Sequence, residues 1–254
     1  MIDKDIFNLT GKRILVTGGA GGIGFALASQ LANRGARIII ADISGPKAED
    51  ASKRLSGNDH SWSRLDITSE IEIQKFFSNQ ESHIDTVDIV LNCAGIAVFS
   101  PALDLAYGDF SKTMEINLNG AFLISKEFSK VKIRQQEPGR IIHLASVSSY
   151  VSNLNYAAYA SSKAGLYQLV RVLGREWAPH NITVNAIGPA ITPTAMTEGI
   201  FSDKNWQTKS LEQIPMGRFG TPEDLIGTVI LLASEAGRFI TGQTIFVDGG
   251  RTLV

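Results

Sequence analysis

The run Arg13-Ile14-Leu15-Val16-Thr17-Gly18-Gly19-Ala20-Gly21-Gly22-Ile23-Gly24 joins an apolar, β-forming segment to a glycine-rich turn. A helix is expected to begin near Gly22, with Ile23, Ala26, Leu27 and Leu31 on its buried stripe and Gly35 ending it. Gly18, Gly22 and Gly24 then stand between a strand and a helix N-terminus. Side chains there would hold a pyrophosphate away from backbone N–H donors, whereas glycine lets it approach the positive end of the helix. A glycine-rich turn gains weight as a phosphate cradle from this strand-turn-helix setting.

Six further runs repeat the β-type pattern: Arg37 to Asp42, Trp62 to Asp66, Val87 to Asn92, Arg140 to Ala145, Thr183 to Ile187 and Thr244 to Val247. Longer amphipathic stretches separate them, which is the alternation of a parallel sheet covered by helices on both faces. The expected fold is α/β, a Rossmann-like doubly wound parallel sheet of about seven strands. No Pro/Ser-rich or charged linker divides the chain, so residues 1–254 are expected to form one dinucleotide-binding and catalytic domain. Thr221-Pro222-Glu223-Asp224 reads as a capped helix start. The preceding segment, 190–220, has mixed polarity and scattered bulky residues, Met196, Phe201 and Trp206 among them, and is expected to serve as a substrate-binding lid.

The formal net charge is −1, from 24 Lys+Arg and 25 Asp+Glu, which offers no long-range attraction to nucleic acid or an anionic membrane. No apolar stretch reaches membrane-spanning length. Cys93 is the only cysteine, so no internal disulfide forms, and its apolar neighbours read as buried. Met1 to Asp5 lacks the basic and apolar regions of a secretory signal. These features set the expectation of a cytoplasmic protein with a small-molecule partner.

Asp42 ends the second run, where an acidic side chain accepts hydrogen bonds from the ribose hydroxyls of an adenosine. A 2′-phosphate would bring like charge to that carboxylate, so NAD (NADH) is the expected cofactor over NADP. Asp66 and Ile67 close the third run and are candidates for the adenine pocket, with Asp66 equally able to cap the next helix.

Tyr159 and Lys163 stand at positions i and i+4 of a helical run, on one face. A phenol titrates near 10 in isolation, and a neighbouring cation lowers that value, which makes the group a usable acid and base. Ser146 follows the fifth run and would hold a substrate oxygen near the phenol. The order Thr17 to Gly24, Asn92-Cys93-Ala94-Gly95, Asn117-Leu118-Asn119-Gly120, Ser146, Tyr159 with Lys163, Gly188-Pro189 and Val247-Asp248-Gly249-Gly250 resembles the short-chain dehydrogenase/reductase family across nearly the whole chain.

That resemblance implies a tetrad of Asn117, Ser146, Tyr159 and Lys163, with Asn117 supporting a water chain to Lys163. It also implies that Lys163 contacts the nicotinamide ribose, Asn92 supports the central strand and Thr194 reaches the pyrophosphate. Gly18, Gly22, Ile23, Gly24, Asp42, Asp66, Ile67, Asn92, Ala94, Gly95, Tyr159, Pro189 and Thr192 complete the implied cofactor set. The chain departs from the family pattern at Cys93, at Pro189-Ala190 and at Thr192. Ser146, Ser148 and Tyr159 are the expected substrate contacts, with Tyr150, Asn153 and Tyr156 nearby, whereas His143 lies inside an apolar run and reads as a hydrogen-bonded core residue.

The expected activity is NAD-dependent interconversion of a secondary alcohol and a ketone, on a sugar alcohol, sugar acid or related polyol. Alternatives are a 3-ketoacyl or steroid-type carbonyl reductase, or a dinucleotide-binding sensor without turnover. No cluster of charges in the sequence singles out a carboxylate or phosphate substrate. The resemblance further implies a homotetramer packed through the helices around residues 110–135 and 156–178.

Overall fold

A computed structural model describes residues 5–81, 86–194, 201 and 203–254. Seven strands form one parallel sheet in the order β3-β2-β1-β4-β5-β6-β7. They are β1 (Arg13–Thr17), β2 (Arg37–Asp42), β3 (Ser61–Arg64), β4 (Ile89–Asn92), β5 (Gly139–Leu144), β6 (Ile182–Pro189) and β7 (Thr244–Val247). The α-helices among the described residues are α1 (Gly22–Ala32), α2 (Gly45–Lys53), α3 (Glu70–Glu81), α4 (Tyr107–Met114), α5 (Gly120–Gln135), α6 (Ala157–Trp177), α7 (Lys204–Glu212) and α8 (Ile226–Ala233).

Side-chain alternation along the central strands builds two cores. Ile14 and Val16 of β1 pack with Leu27 and Leu31 of α1 and Val229 and Leu232 of α8. Leu15 faces the other way, into a layer with Phe77 of α3, Phe128 of α5 and Leu166 of α6. Strands covered on both faces are mostly apolar, as β4 is up to its last residue, Asn92, with all four residues buried. The edge strand β3 alternates half-buried and exposed residues instead. It ends at Arg64, so Asp66 and Ile67 lie beyond the strand in the connection to α3, contrary to the sequence reading. Next to the other edge, β6 runs on to Pro189, two residues further than expected.

The end of α1 shows how sequence fixes a boundary. Gly35 takes φ +82°, its N–H donates to the Ala32 carbonyl at 2.9 Å, and the Ala36 N–H donates to the Leu31 carbonyl at 3.2 Å. This pair of bonds satisfies the last helical carbonyls and needs the left-handed region that glycine enters freely. The 3-10 turn Pro222–Leu225 that leads into α8 is capped at Thr221 as expected, with the Asp224 carboxylate accepting the Thr221 N–H at 2.8 Å. No helix among the described residues is long and apolar enough to cross a membrane.

Beneath the carboxyl edge of the sheet, a buried polar chain ties three strands to α5. The Thr17 hydroxyl donates to the Asn92 side-chain oxygen, and the Asn92 side-chain amide nitrogen donates to His143 Nδ1 at 3.1 Å. His143 Nε2 lies 3.0 Å from the Ser125 hydroxyl, which itself donates to the Ala121 carbonyl at 2.7 Å. The network assigns the proton to Nε2 and leaves Nδ1 as an acceptor. His143 is therefore the hydrogen-bonded core residue expected. Burial, reinforced by the Lys163 charge, lowers its pKa to about 3.

The unfolded chain takes up a proton at this histidine near pH 6.5 while the folded one refuses it until about 3. Between those values unfolding binds a proton, so His143 makes stability fall with acidification by about 1.4 kcal/mol per pH unit. Denaturant melts of wild type and His143→Gln between pH 7 and 4.5 are expected to show a shallower acid slope in the variant; parallel slopes would assign acid sensitivity elsewhere.

Candidate active site

A cavity of about 580 Å³ opens along the carboxyl ends of the central strands. It spans the position where β1 and β4 are neighbours and the chain diverges to the two sides of the sheet. Open α/β sheets bind ligands at such a switch point because the loops on either side lead away from each other.

One wall is the β1–α1 turn, with Gly18, Gly22, Ile23 and Gly24. A methyl group on Gly18 would come within 2.8 Å of the Ala94 backbone, and one on Gly24 would strike the Gly18 carbonyl. These two glycines let strand, turn and helix pack closely. Gly22 differs: it has φ +53°, and a Cβ there would meet nothing within 4 Å, because the space beside it is the cavity. No side chain caps α1 and no acid lies in its first turn. Its leading N–H groups face a space suited to an anion, and a pyrophosphate fits both the room and the field.

Asp42 lines the same cavity and accepts the Ser44 N–H at 3.0 Å. Lys47, in the first turn of α2, also lines it, a contribution that sequence spacing did not reveal. Ala94, Gly95, Pro189, Thr192 and Thr194 extend the lining toward the far strands. Asp66, Ile67 and Asn92 are not part of it. The Asp66 carboxylate holds its own loop by accepting the N–H and hydroxyl of Thr68 at 2.9 and 2.7 Å, so it neither lines the cavity nor caps α3. Ile67 is buried against the Gly120 position, and Asn92 belongs to the polar chain under the sheet.

Tyr159, Lys163, Ser146 and Ser148 meet on the opposite wall. Helix α6 buries Ala158, Ser162, Lys163, Leu166, Val170 and Leu173, a helical stripe that turns Lys163 inward and leaves Tyr159 on its flank. The Lys163 ammonium donates to the Leu144 carbonyl at 2.7 Å and stands 5.7 Å from the Tyr159 ring centroid. Ser146, two residues past the end of β5, accepts the Ser148 N–H at 3.1 Å and lines the same wall as the Tyr159 phenol. Phe99 and Tyr156 flank that phenol, with their own ring centroids 4.4 Å apart.

Asn117 does not line the cavity; it stands behind it. A π-helical turn, Glu115–Asn119, interrupts the otherwise continuous helix from α4 to α5 and presents Asn117 inward. Its side chain accepts the Ile96 N–H at 2.8 Å and donates to the Ile96 carbonyl at 2.9 Å and the Ser162 hydroxyl at 3.0 Å. A Cβ at Gly95 would lie 3.1 Å from the Asn117 oxygen and 3.7 Å from the Lys163 nitrogen, so glycine there lets the amide and ammonium share one corner.

The electrostatics correct one expectation. Burial pushes the Tyr159 phenol up to about 12, the Ser146 hydrogen bond pulling downward and Tyr156 adding to the rise. The same burial brings Lys163 down to about 8. Desolvation is thus the largest cause of both shifts, and the pull of the ammonium on the phenol that sequence reasoning placed first is not among their causes. Cys93 lines the cavity as well, with its thiol raised to about 12 by burial, and is no nucleophile at neutral pH.

On the substrate side, Trp206 and Ile214 of the 190–220 segment reach the cavity. Trp206 stacks on Phe219 at an interplanar angle of 8°, and Phe201 meets both rings edge-on. Met196 lies outside the described residues. Tyr150 is largely exposed and touches Phe246. Asn153 and Arg251 complete this part of the wall, Arg251 reaching it from the end of the chain.

A family profile described as enoyl-(acyl carrier protein) reductase matches residues 18–252. The chain belongs to the short-chain dehydrogenase/reductase family. It is 35% identical over 251 residues to an NAD-dependent glycerol dehydrogenase of Listeria innocua, covering 99% of this chain and 97% of that protein. It is 34% identical to the 5-keto-D-gluconate 5-reductase of Escherichia coli, covering 97% and 98%. Among solved structures, a gluconate 5-dehydrogenase from Burkholderia cenocepacia in complex with NADP and tartrate superposes with a TM-score of 0.95 at 31% identity, covering 98% of each chain. The chain is thus an NAD(P)-binding oxidoreductase acting on CH–OH groups.

The close fit at Gly24 gives a direct check. Gly24→Ala is expected to lose on the order of 1–3 kcal/mol of stability through overpacking and to weaken NADH binding as measured by fluorescence titration; unchanged values for both would remove this glycine from the cradle.

Proposed function

We propose that this protein is an NAD-dependent dehydrogenase that interconverts a secondary alcohol and a ketone on a polyol or sugar acid, with Tyr159 as its acid and base. The convergence of Tyr159, Lys163 and Ser146 on a cavity that also contains the α1 N-terminus carries this reading. The similarity to proteins named for glycerol and 5-keto-D-gluconate supports the substrate class.

The cradle of Gly18, Gly22 and Gly24 would hold the pyrophosphate, Asp42 the adenosine ribose and Lys163 the nicotinamide ribose. Bound NAD supplies the hydride acceptor and, when oxidised, a positive charge near the phenol. Ser146 orients the substrate hydroxyl toward Tyr159. During oxidation the C–H bond breaks with its electron pair leaving as hydride, and the hydroxyl proton passes to Tyr159; reduction reverses both transfers. Asn117 acts through others, fixing the Ile96 backbone and Ser162 beside Lys163. Trp206 and Ile214 bound the substrate side.

Tyr159→Phe is expected to bind NADH normally and lose about 100- to 10,000-fold in turnover. Near-normal turnover would refute the assigned role. A phenol raised to about 12 must lose its proton before it can accept another, so initial rates of alcohol oxidation should climb with pH through the neutral range. Carbonyl reduction needs the protonated phenol and should lack that climb; a shared profile would assign the proton to another group.

Asp42 supports NAD over NADP, since its carboxylate repels a 2′-phosphate; Lys47, in the same wall, tempers that repulsion. Titration at equal ionic strength is expected to give tighter NAD than NADP binding in wild type and a shift toward NADP in Asp42→Ala. Tighter NADP binding in wild type would overturn the preference.

A further inference from the structure

Arg251 is 7% exposed and lines the cavity that contains Tyr159. Its guanidinium donates to the Asn153 side-chain oxygen at 3.1 Å. Asn153 lies between Ser146 and Tyr159, and Tyr150 of the same segment touches Phe246 of β7, so Arg251 is tied to the chain that bears the reactive groups. No carboxylate among the described residues forms an ion pair with it. The nearest candidate by sequence, Asp248, spends its oxygens on the N–H of Gly250 and on the N–H and hydroxyl of Thr252.

A guanidinium remains charged at any physiological pH. Withdrawing such a group from water is unfavourable without an opposite charge, and a single neutral amide oxygen satisfies one of its five N–H donors. The remaining donors form a planar fork that matches a carboxylate in two parallel hydrogen bonds. The cavity wall supplies the cation, and the missing partner must enter with the ligand.

We propose that Arg251 binds the carboxylate of a hydroxy-acid substrate, making this an enzyme of sugar acids rather than neutral polyols. The proposal rests on the dehydrogenase reading above and narrows it. Asn153 is the positioning residue that aims the guanidinium. Arg251 selects substrate and takes no part in proton or hydride transfer.

D-Gluconate and D-glucitol separate the possibilities, because they share a hydroxylated six-carbon chain and differ in a carboxylate replacing one CH₂OH. An alcohol cannot pass hydride to a nicotinamide that is already reduced, so titrating each compound into the protein saturated with NADH reads binding without turnover. Gluconate is expected to bind more tightly than glucitol by on the order of 30-fold or more, the scale for one desolvated charge pair. Arg251→Met should abolish that difference and Arg251→Lys should keep part of it, with NADH affinity unchanged in both.

Equal binding of the two compounds by wild type, failure of gluconate to bind, or a discrimination that survives in Arg251→Met would each overturn the proposal. Weakened NADH binding in Arg251→Met would reassign the guanidinium to the cofactor's phosphates and overturn it too. Should the methionine variant fail to fold, as read by its melting temperature, the lysine variant and the wild-type comparison still decide. Turnover distinguishes this inference from the one beneath it. An enzyme that oxidises neutral polyols and ignores gluconate keeps the dehydrogenase reading and loses this one. A protein that binds gluconate through Arg251 yet reduces no NAD with it or with any polyol does the reverse.

Discussion

The pairing of β1 with β4 is the constraint on which the rest of this structure depends. All seven strands run in one direction, so every strand delivers its carboxyl end to the same edge of the sheet. From β1 the chain builds outward through β2 and β3, then returns to begin the other half at β4. The loops leaving β1 and β4 therefore diverge and leave a crevice between them. Thr17 and Asn92, paired in register beneath that crevice, are joined by a side-chain hydrogen bond, and His143 and Ser125 extend the bond into α5. The floor of the site is thus rigid for the same reason that the sheet is continuous.

On that floor the protein gathers positive potential at both ends of one cavity. The uncapped start of α1 supplies it as a helix dipole at one end, and Lys163 and Arg251 supply it as side chains. Burial does two things at once there. It withdraws water that would screen each charge, and it penalises charged forms, which is why the phenol rises to about 12 and the ammonium falls to about 8. Tyr159 and Lys163 are poised toward their neutral forms by the protein alone, so the balance between them responds to the charge of whatever shares the cavity.

Much of the architecture was legible because it rests on local rules. β1, β2 and β7 fall where alternation and apolar content put them, and the end of α1 at Gly35 and the cap at Thr221 follow from backbone chemistry written into single residues. The glycine turn and the i, i+4 spacing of Tyr159 and Lys163 were equally visible. The end of the third strand was drawn two residues too far, at Asp66, because that strand is a half-exposed edge where the apolar signal is weak. The π-turn that presents Asn117 leaves no mark in hydrophobic periodicity, since it adds one residue to a helix that otherwise continues.

By itself the sequence determined a doubly wound sheet, a phosphate-binding turn and the identity of the reactive side chains, because each is encoded by neighbours along the chain. Tertiary structure alone decided the company those side chains keep. The direction of the Tyr159 pKa depends on how much water the surrounding loops exclude, a sum over residues distant in sequence. Lys47 meets the β2 end through the folding of α2, and Arg251 meets Asn153 across 98 positions of chain. Side chains so far apart become neighbours only when β7 joins the sheet beside β6 and carries the last residues over the cavity, which no local pattern records.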